Sequence, residues 1–168
     1  MFAMKRRKFF LAWVATMVLF CVTIATVSVP VAAQSPMSET GLIQISSEFS
    51  VEETSDRLNE LLAERHLNVF ARIDHAQNAA SVGKELRPTT LFIFGNPAVG
   101  TPLMQCNQSV AIDLPQKMLI WQDADGQVWL AYNDPQYLNG RHDLTGCEMI
   151  IDRVGQVLGD IAQQATQS

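Results

Sequence analysis

Two apolar runs, Lys117–Gln122 and Gln127–Tyr132, flank the tetrapeptide Asp123-Ala124-Asp125-Gly126. Asp-Gly between two such runs is a strong β-hairpin signal, because glycine adopts the positive φ that a tight turn of matching twist requires. An isolated hairpin is marginal in water, so other strands must widen it into a sheet and helices must cover a face of that sheet. Trp121 and Trp129, on opposite arms, are expected to form a cross-strand pair.

The rest of the chain supplies those partners. Gly41–Ser46 alternates like a strand. Ser50-Val51-Glu52-Glu53 is a capping box, in which the Ser50 hydroxyl accepts the amide proton of residue 53 and Glu53 can reach back. The helix it opens runs to about His66, with Val51, Leu58, Leu61 and Leu62 on one face and Glu60 and Glu64 on the other. Val69–Asp74 reads as a second strand, with Val69, Ala71 and Ile73 on one side. Asp74 caps a short helix, His75–Ser81, that stops at Gly83. The unbroken Leu-Phe-Ile-Phe run within Thr89–Phe94 implies burial on both faces and a central position. Asp134-Pro135 starts another short helix. The last helix spans about Cys147–Gln164, where Met149, Ile150, Val154, Val157, Leu158 and Ile161 form an apolar stripe that includes Arg153. Strands and helices intermix without repeats, which places residues 41–168 in an α+β class: one small domain, its mixed or mainly antiparallel sheet packed by helices.

The N-terminus belongs to export rather than to the fold. Lys5, Arg6, Arg7 and Lys8 precede an uncharged apolar run from Phe9 to about Val29, and Pro30 and Val31-Ala32-Ala33 follow. This is the order of a cleavable signal, so residues 1–33 are expected to be removed and 34–40 to form a short polar tether. The expected compartment is periplasmic or secreted, with an uncleaved membrane anchor as the alternative. The pair Arg6-Arg7 also fits a twin-arginine signal. Cleavage takes four of the 12 basic residues and none of the 17 acidic ones, leaving a net charge of −9. That balance, without a Lys/Arg cluster, argues against nucleic-acid binding and against attraction to acidic membrane surfaces. Cys106 and Cys147 are the cysteines that remain, an even pair in an oxidising compartment, and a disulfide between them is expected if the fold brings them close.

A candidate site follows the third strand. Phe94-Gly95-Asn96-Pro97 is followed by Gly100-Thr101-Pro102, two Gly-polar-Pro breaks in succession. Asn96 and Thr101 are both cap-type residues before a proline, so the segment is expected to make one short turn and then a second helix start at Thr101. Helix starts offer unpaired amides to an anion or polar head. With the Tyr132-Asn133-Asp134 turn nearby, the ligand-binding set is Gly95, Asn96, Thr101, Tyr132, Asn133 and Asp134. No established hydrolase, zinc-protease or CxxC pattern occurs, and neither a cofactor nor a metal is expected. Three function classes stand: a small-ligand binder; an enzyme using Asp74/His75, or His142 with Asp134; and a dimerising module without a pocket.

The segments FGNPAVGTPLMQ and AIDLPQKMLIWQDADGQVWLAYNDPQYL, with Ile73-Asp74-His75-Ala76 upstream, resemble the domain-of-unknown-function 302 family. The matching marks are Phe94–Pro97, Gly100–Met104, Leu114-Pro115 and Tyr132–Pro135, and the likeness extends from about Phe49 to Leu144. It implies a small α+β fold, often paired as a homodimer, and no established activity.

Overall fold

A computed structural model describes residues 40–168; the expected signal and most of the tether lie outside them. The described residues form strands β1 (Leu42–Ser47), β2 (Asn68–Asp74), β3 (Thr89–Gly95), β4 (Gln116–Gln122) and β5 (Val128–Asn133), and helices α1 (Val51–Glu64), α2 (His75–Ser81), α3 (Pro97–Cys106), α4 (Pro135–His142) and α5 (Glu148–Thr166). The strands make one sheet in the order β1-β5-β4-β3-β2, and every neighbouring pair is antiparallel. The α+β class therefore holds, with a wholly antiparallel sheet.

β4 and β5 are the hairpin, and Trp121 pairs with Trp129 across it. One carboxylate organises its turn. Asp123 Oδ1 accepts the amides of Asp125 and Gln127 at 3.0 and 2.9 Å, and Oδ2 accepts the Trp129 indole N–H at 2.7 Å. The caps at Ser50, Asp74 and Asp134 form as expected. Glu53 N donates to Ser50 Oγ at 3.1 Å, Gln77 N to Asp74 Oδ1 at 2.9 Å, and Gln136 N to Asp134 Oδ1 at 2.9 Å. β1 enters the sheet through Gly41, whose φ is +69° and where an added Cβ would lie 2.4 Å from the Tyr137 ring. Both the backbone and the space there require glycine.

The main core lies between one sheet face and two helices. Phe92, Phe94, Met118, Ile120 and Leu130 meet Leu58 and Leu62 of α1 and Leu158, Ile161 and Ala162 of α5. Three expectations change here. β3 is interior but lies second from an edge, and only its Thr90–Phe92–Phe94 face is fully buried; Leu91 and Ile93 are half-buried on the other side. β4 is the central strand. In β2 a bulge falls between Val69 and Ala71, so Val69 pairs with Phe94 while Ala71 pairs with Ile93. The extra residue turns Val69 onto the opposite face from Ala71 and Ile73. α5 is also rotated from its expected stripe. Met149 is 85% exposed, while Ile151, Ala162 and Ala165 are buried. Small residues bring the helix close to its neighbours, and a count of large apolar positions gives them no weight.

A smaller core lies between α3 and the start of α5, built from Leu103, Val110, Leu144, Cys147 and Ile151. Across it Cys106 and Cys147 are joined by a disulfide, with their Cα atoms 6.5 Å apart.

Candidate functional site

The two Gly-polar-Pro breaks do not start two helices. Asn96 caps α3, its Oδ1 accepting the Ala98 amide at 2.9 Å, and Pro97 takes the first helical position. The helix then runs straight through Gly100, Thr101 and Pro102 to Cys106. Thr101 is an exposed helical residue and not a cap. The first start was strong enough to carry the chain through a proline that lacks an amide to donate.

Even so, both breaks border one concavity of about 630 Å³, within the range of small-molecule sites. Its floor is Phe94, Gly95 and Leu158, at the exit of β3 and on α5. Val99, Leu103 and Met104 of α3 form one wall, and Leu67 and Phe70 form another. Phe70 reaches it from the β2 bulge. Leu114, Pro115 and Gln116 close the side where the chain enters β4, after a cis Leu114–Pro115 peptide. Polar groups are few: Asn96, Thr101, Gln116 and two guanidinium groups, Arg65 at the end of α1 and Arg153 on α5. No aspartate or glutamate lines it. The Arg65 side chain has no hydrogen-bond or ion-pair partner among the described residues, and Arg153 has only a long 3.5 Å contact to Gln156 Oε1.

Gly95, Asn96 and Thr101 thus share a cavity, whereas Tyr132, Asn133 and Asp134 do not line it. β3 and β5 leave the sheet at the same end, two strands apart. α5 then comes between them. Its Val154, Val157 and Leu158 face the cavity, while a Cβ on Gly155 would meet Pro135 at 3.9 Å and one on Gly159 would meet Tyr132 Oη at 3.7 Å. Tyr132 is buried in the main core, and burial, with the nearby Asp134 charge, raises its phenol above the ordinary value. Asn133 pairs with Leu42 at the end of β1, and Asp134 is used as the α4 cap. A more open groove of about 520 Å³ between α1 and the end of α5 is lined by Arg57, Glu60 and Glu64. Its one cation is already engaged: Arg57 Nη2 donates to the Gln164 and Gln167 carbonyls at 2.8 and 2.7 Å.

The histidines sort themselves. Asp74 is used as the α2 cap, and His75 has no hydrogen-bond partner among the described residues. His142 is buried, and its carboxylate is Asp113, not Asp134: Nε2 lies 2.6 Å from Asp113 Oδ2. On the other side, Nδ1 lies 2.8 Å from Ser109 Oγ. Arg141 Nη1 stands 3.5 Å from the same Asp113 oxygen. Lys117 Nζ donates to the carbonyls of Asp113 and Pro115 at 2.8 and 2.9 Å; burial lowers its pKa, and the Asp113 charge partly restores it. Asp113 and His142 are 29 residues apart, and no sequence spacing announces such a contact.

Comparison with known proteins agrees with this architecture. The family model described as "Domain of unknown function DUF302" matches residues 43–164, so the likeness extends into α5. The crystal structure of an uncharacterized conserved DUF302 protein from Bacillus stearothermophilus superposes with a TM-score of 0.68 at 18% identity, covering 74% of this chain and 98% of that one. Two relatives named "Fluoride-specific ion channel FluC 1", from Brucella suis and Brucella abortus, are each 44% identical over 106 residues, which is 63% of this chain. The chain spans only 42% and 39% of their lengths. No helix among the described residues is long and apolar enough to cross a membrane. With the family match over residues 43–164 and the structural likeness in accord, the chain belongs to the DUF302 family, whose function is unknown.

Proposed function

We propose that the domain is exported and binds a small apolar anion, held without chemical change in the cavity beside α3. One observation carries this reading: in residues 41–168, where 16 acidic residues outnumber 8 basic ones, an apolar cavity is bordered by two arginines and no acid. Apolar walls favour a hydrocarbon or aromatic body. Arginine without a protein partner favours a carboxylate or similar head, which its planar fork can bind with two hydrogen bonds. Asn96 fixes the adjoining helix start before any ligand arrives, which lowers the ordering cost of binding.

Likeness to proteins named as fluoride channels makes fluoride a second anion to test. A small, strongly hydrated ion fits an apolar cavity of this size poorly. The shared stretch is longer than the segment before Thr40, so most of it falls on the α+β domain. We read the domain as the part those relatives share rather than as a pore.

Melting temperatures with decanoate, decanol, decyltrimethylammonium and sodium fluoride test the proposal, since a ligand of the native state raises the melting temperature. Decanoate is expected to stabilise most. The double variant Arg65→Gln/Arg153→Gln should weaken decanoate binding about tenfold or more, the worth of a charged hydrogen bond, while leaving decanol binding unchanged. Equal stabilisation by decanol and decanoate would remove the anion preference. Stabilisation by fluoride alone, or by none of the four, would remove the reading altogether.

A further inference from the structure

We propose that Ser109, His142 and Asp113, none of which lines the cavity, form a nucleophilic array that transfers acyl groups from carboxylic esters to water. The order of the groups carries the inference. Asp113 offers only acceptor oxygens, so the His142 nitrogen 2.6 Å from it, Nε2, must carry the ring proton. In the neutral imidazole the other nitrogen, Nδ1, then presents a lone pair, and it presents it to Ser109 Oγ at 2.8 Å. The serine O–H donates to the histidine, and the histidine N–H donates to the carboxylate. A base oriented by a third group and bonded to a hydroxyl is the arrangement that activates a serine nucleophile. Here the two ring nitrogens exchange their usual partners, which leaves the direction of proton movement intact.

The surroundings hold this order in place. Asn107 secures both ends: its Oδ1 accepts the Ser109 amide at 3.0 Å, and its Nδ2 donates to the His142 carbonyl. Ser109 and Asp113 sit at the two ends of one 3-10 turn, Gln108–Ile112, with Asp113 as its C-cap. His142 is 7% exposed and the Asp113 side chain 14%, so water has little access to the hydrogen bond between them. Ser109 itself is exposed. A hydroxyl in contact with water needs no protein acceptor, yet this one has a buried base aligned with it.

The chemistry balances with water as the only co-reactant. Ser109 Oγ attacks the ester carbonyl carbon, and its proton passes to His142 Nδ1. The tetrahedral intermediate breaks its bond to the alkoxy oxygen, which takes that proton from Nδ1 and leaves as the alcohol. Water then attacks the acyl-Ser109 carbonyl, giving a proton to Nδ1. When the acid departs, that proton returns to Ser109 Oγ. Asp113 is a positioning residue throughout; it holds the tautomer and stabilises the transient imidazolium.

The test uses a fluorophosphonate probe on the full protein, which phosphonylates an activated serine and releases fluoride, followed by peptide mapping. A single adduct on Ser109 is expected, and none in Ser109→Ala. Asp113→Asn should slow labelling about 100-fold or more, as loss of general-base action does, with circular dichroism still native. No adduct on Ser109 in the wild-type protein overturns the proposal. So does labelling of folded Asp113→Asn at the wild-type rate, since the serine would then react without its base. Should Asp113→Asn not fold, the mapped wild-type site against the Ser109→Ala control decides alone, because that exposed hydroxyl can be removed without opening a core.

Discussion

Asp123 shows how much a single side chain can organise. It accepts three hydrogen bonds in the hairpin turn, and the Trp129 indole bond, followed by the Gln127 and Asp125 amides and Arg87, holds its pKa below the ordinary value near 3.8. The direction fixes the pH response. A carboxylate with a lowered native pKa adds stability above its unfolded value, and that stability is lost as pH falls through the native value. Asp123→Asn should therefore melt below the wild-type protein at pH 7. The gap should close as pH falls below about 3.8. Melting curves from pH 7 to pH 2.5 measure it, and a gap that stays constant with pH would assign the effect to shape rather than charge.

At the scale of elements, α3 and α5 are tied together. The disulfide joins the last residue of α3 to the residue before α5, across the smaller core. Its ends are 41 residues apart in sequence, and closing a loop of that length stabilises by about 3–4 kcal/mol in the chain-entropy model. The variant Cys106→Ala/Cys147→Ala should lose roughly that much by urea unfolding. Titration of unfolded, unreduced protein should find no free thiol at either position. The middle of α1 and the end of α5 are tied differently. Arg57 stacks over the Phe49 ring at 4.2 Å and donates to two carbonyls at the end of α5, a favourable place for a cation. In sequence Arg57 is simply a charge in the middle of a helix.

For the whole molecule, the unequal faces of the sheet matter most. α1 and α5 bury one face, while the other leaves Leu91, Ile93, Leu119, Trp121 and Trp129 half-exposed. We propose that the homodimer implied by the family resemblance covers this second face, since a partner would remove that apolar surface from water. Native mass spectrometry of protein exported by its own host tests this together with signal cleavage. The expected species is two copies of residues 34–168, and Leu119→Asp should convert it to one copy. A monomer would leave this face without a partner copy. A mass that retains residues 1–33 would replace release with anchoring.

Local structure was legible because its causes are local. Ser50, Asp74 and Asp134 cap helices through bonds to amides two or three residues away, and Asp-Gly turns the hairpin through residues within it. Those contacts are complete in a short window of sequence, as were the class of the fold and the family marks around Gly95–Met104. Other features needed the assembled sheet. The bulge that turns Val69 away from Ala71, the rotation of α5, and the separation of Tyr132 from Gly95 all depend on which surfaces pack together. Thr101 has the chemistry of a cap, yet a helix already started at Asn96 absorbed it. The contact of His142 with Asp113 and Ser109 joins the end of one helix to a 3-10 turn about thirty residues upstream. Sequence supplies the donors and acceptors of such a contact. Only the packing of strands and helices brings them within 3 Å, because that distance is set by the whole chain between them.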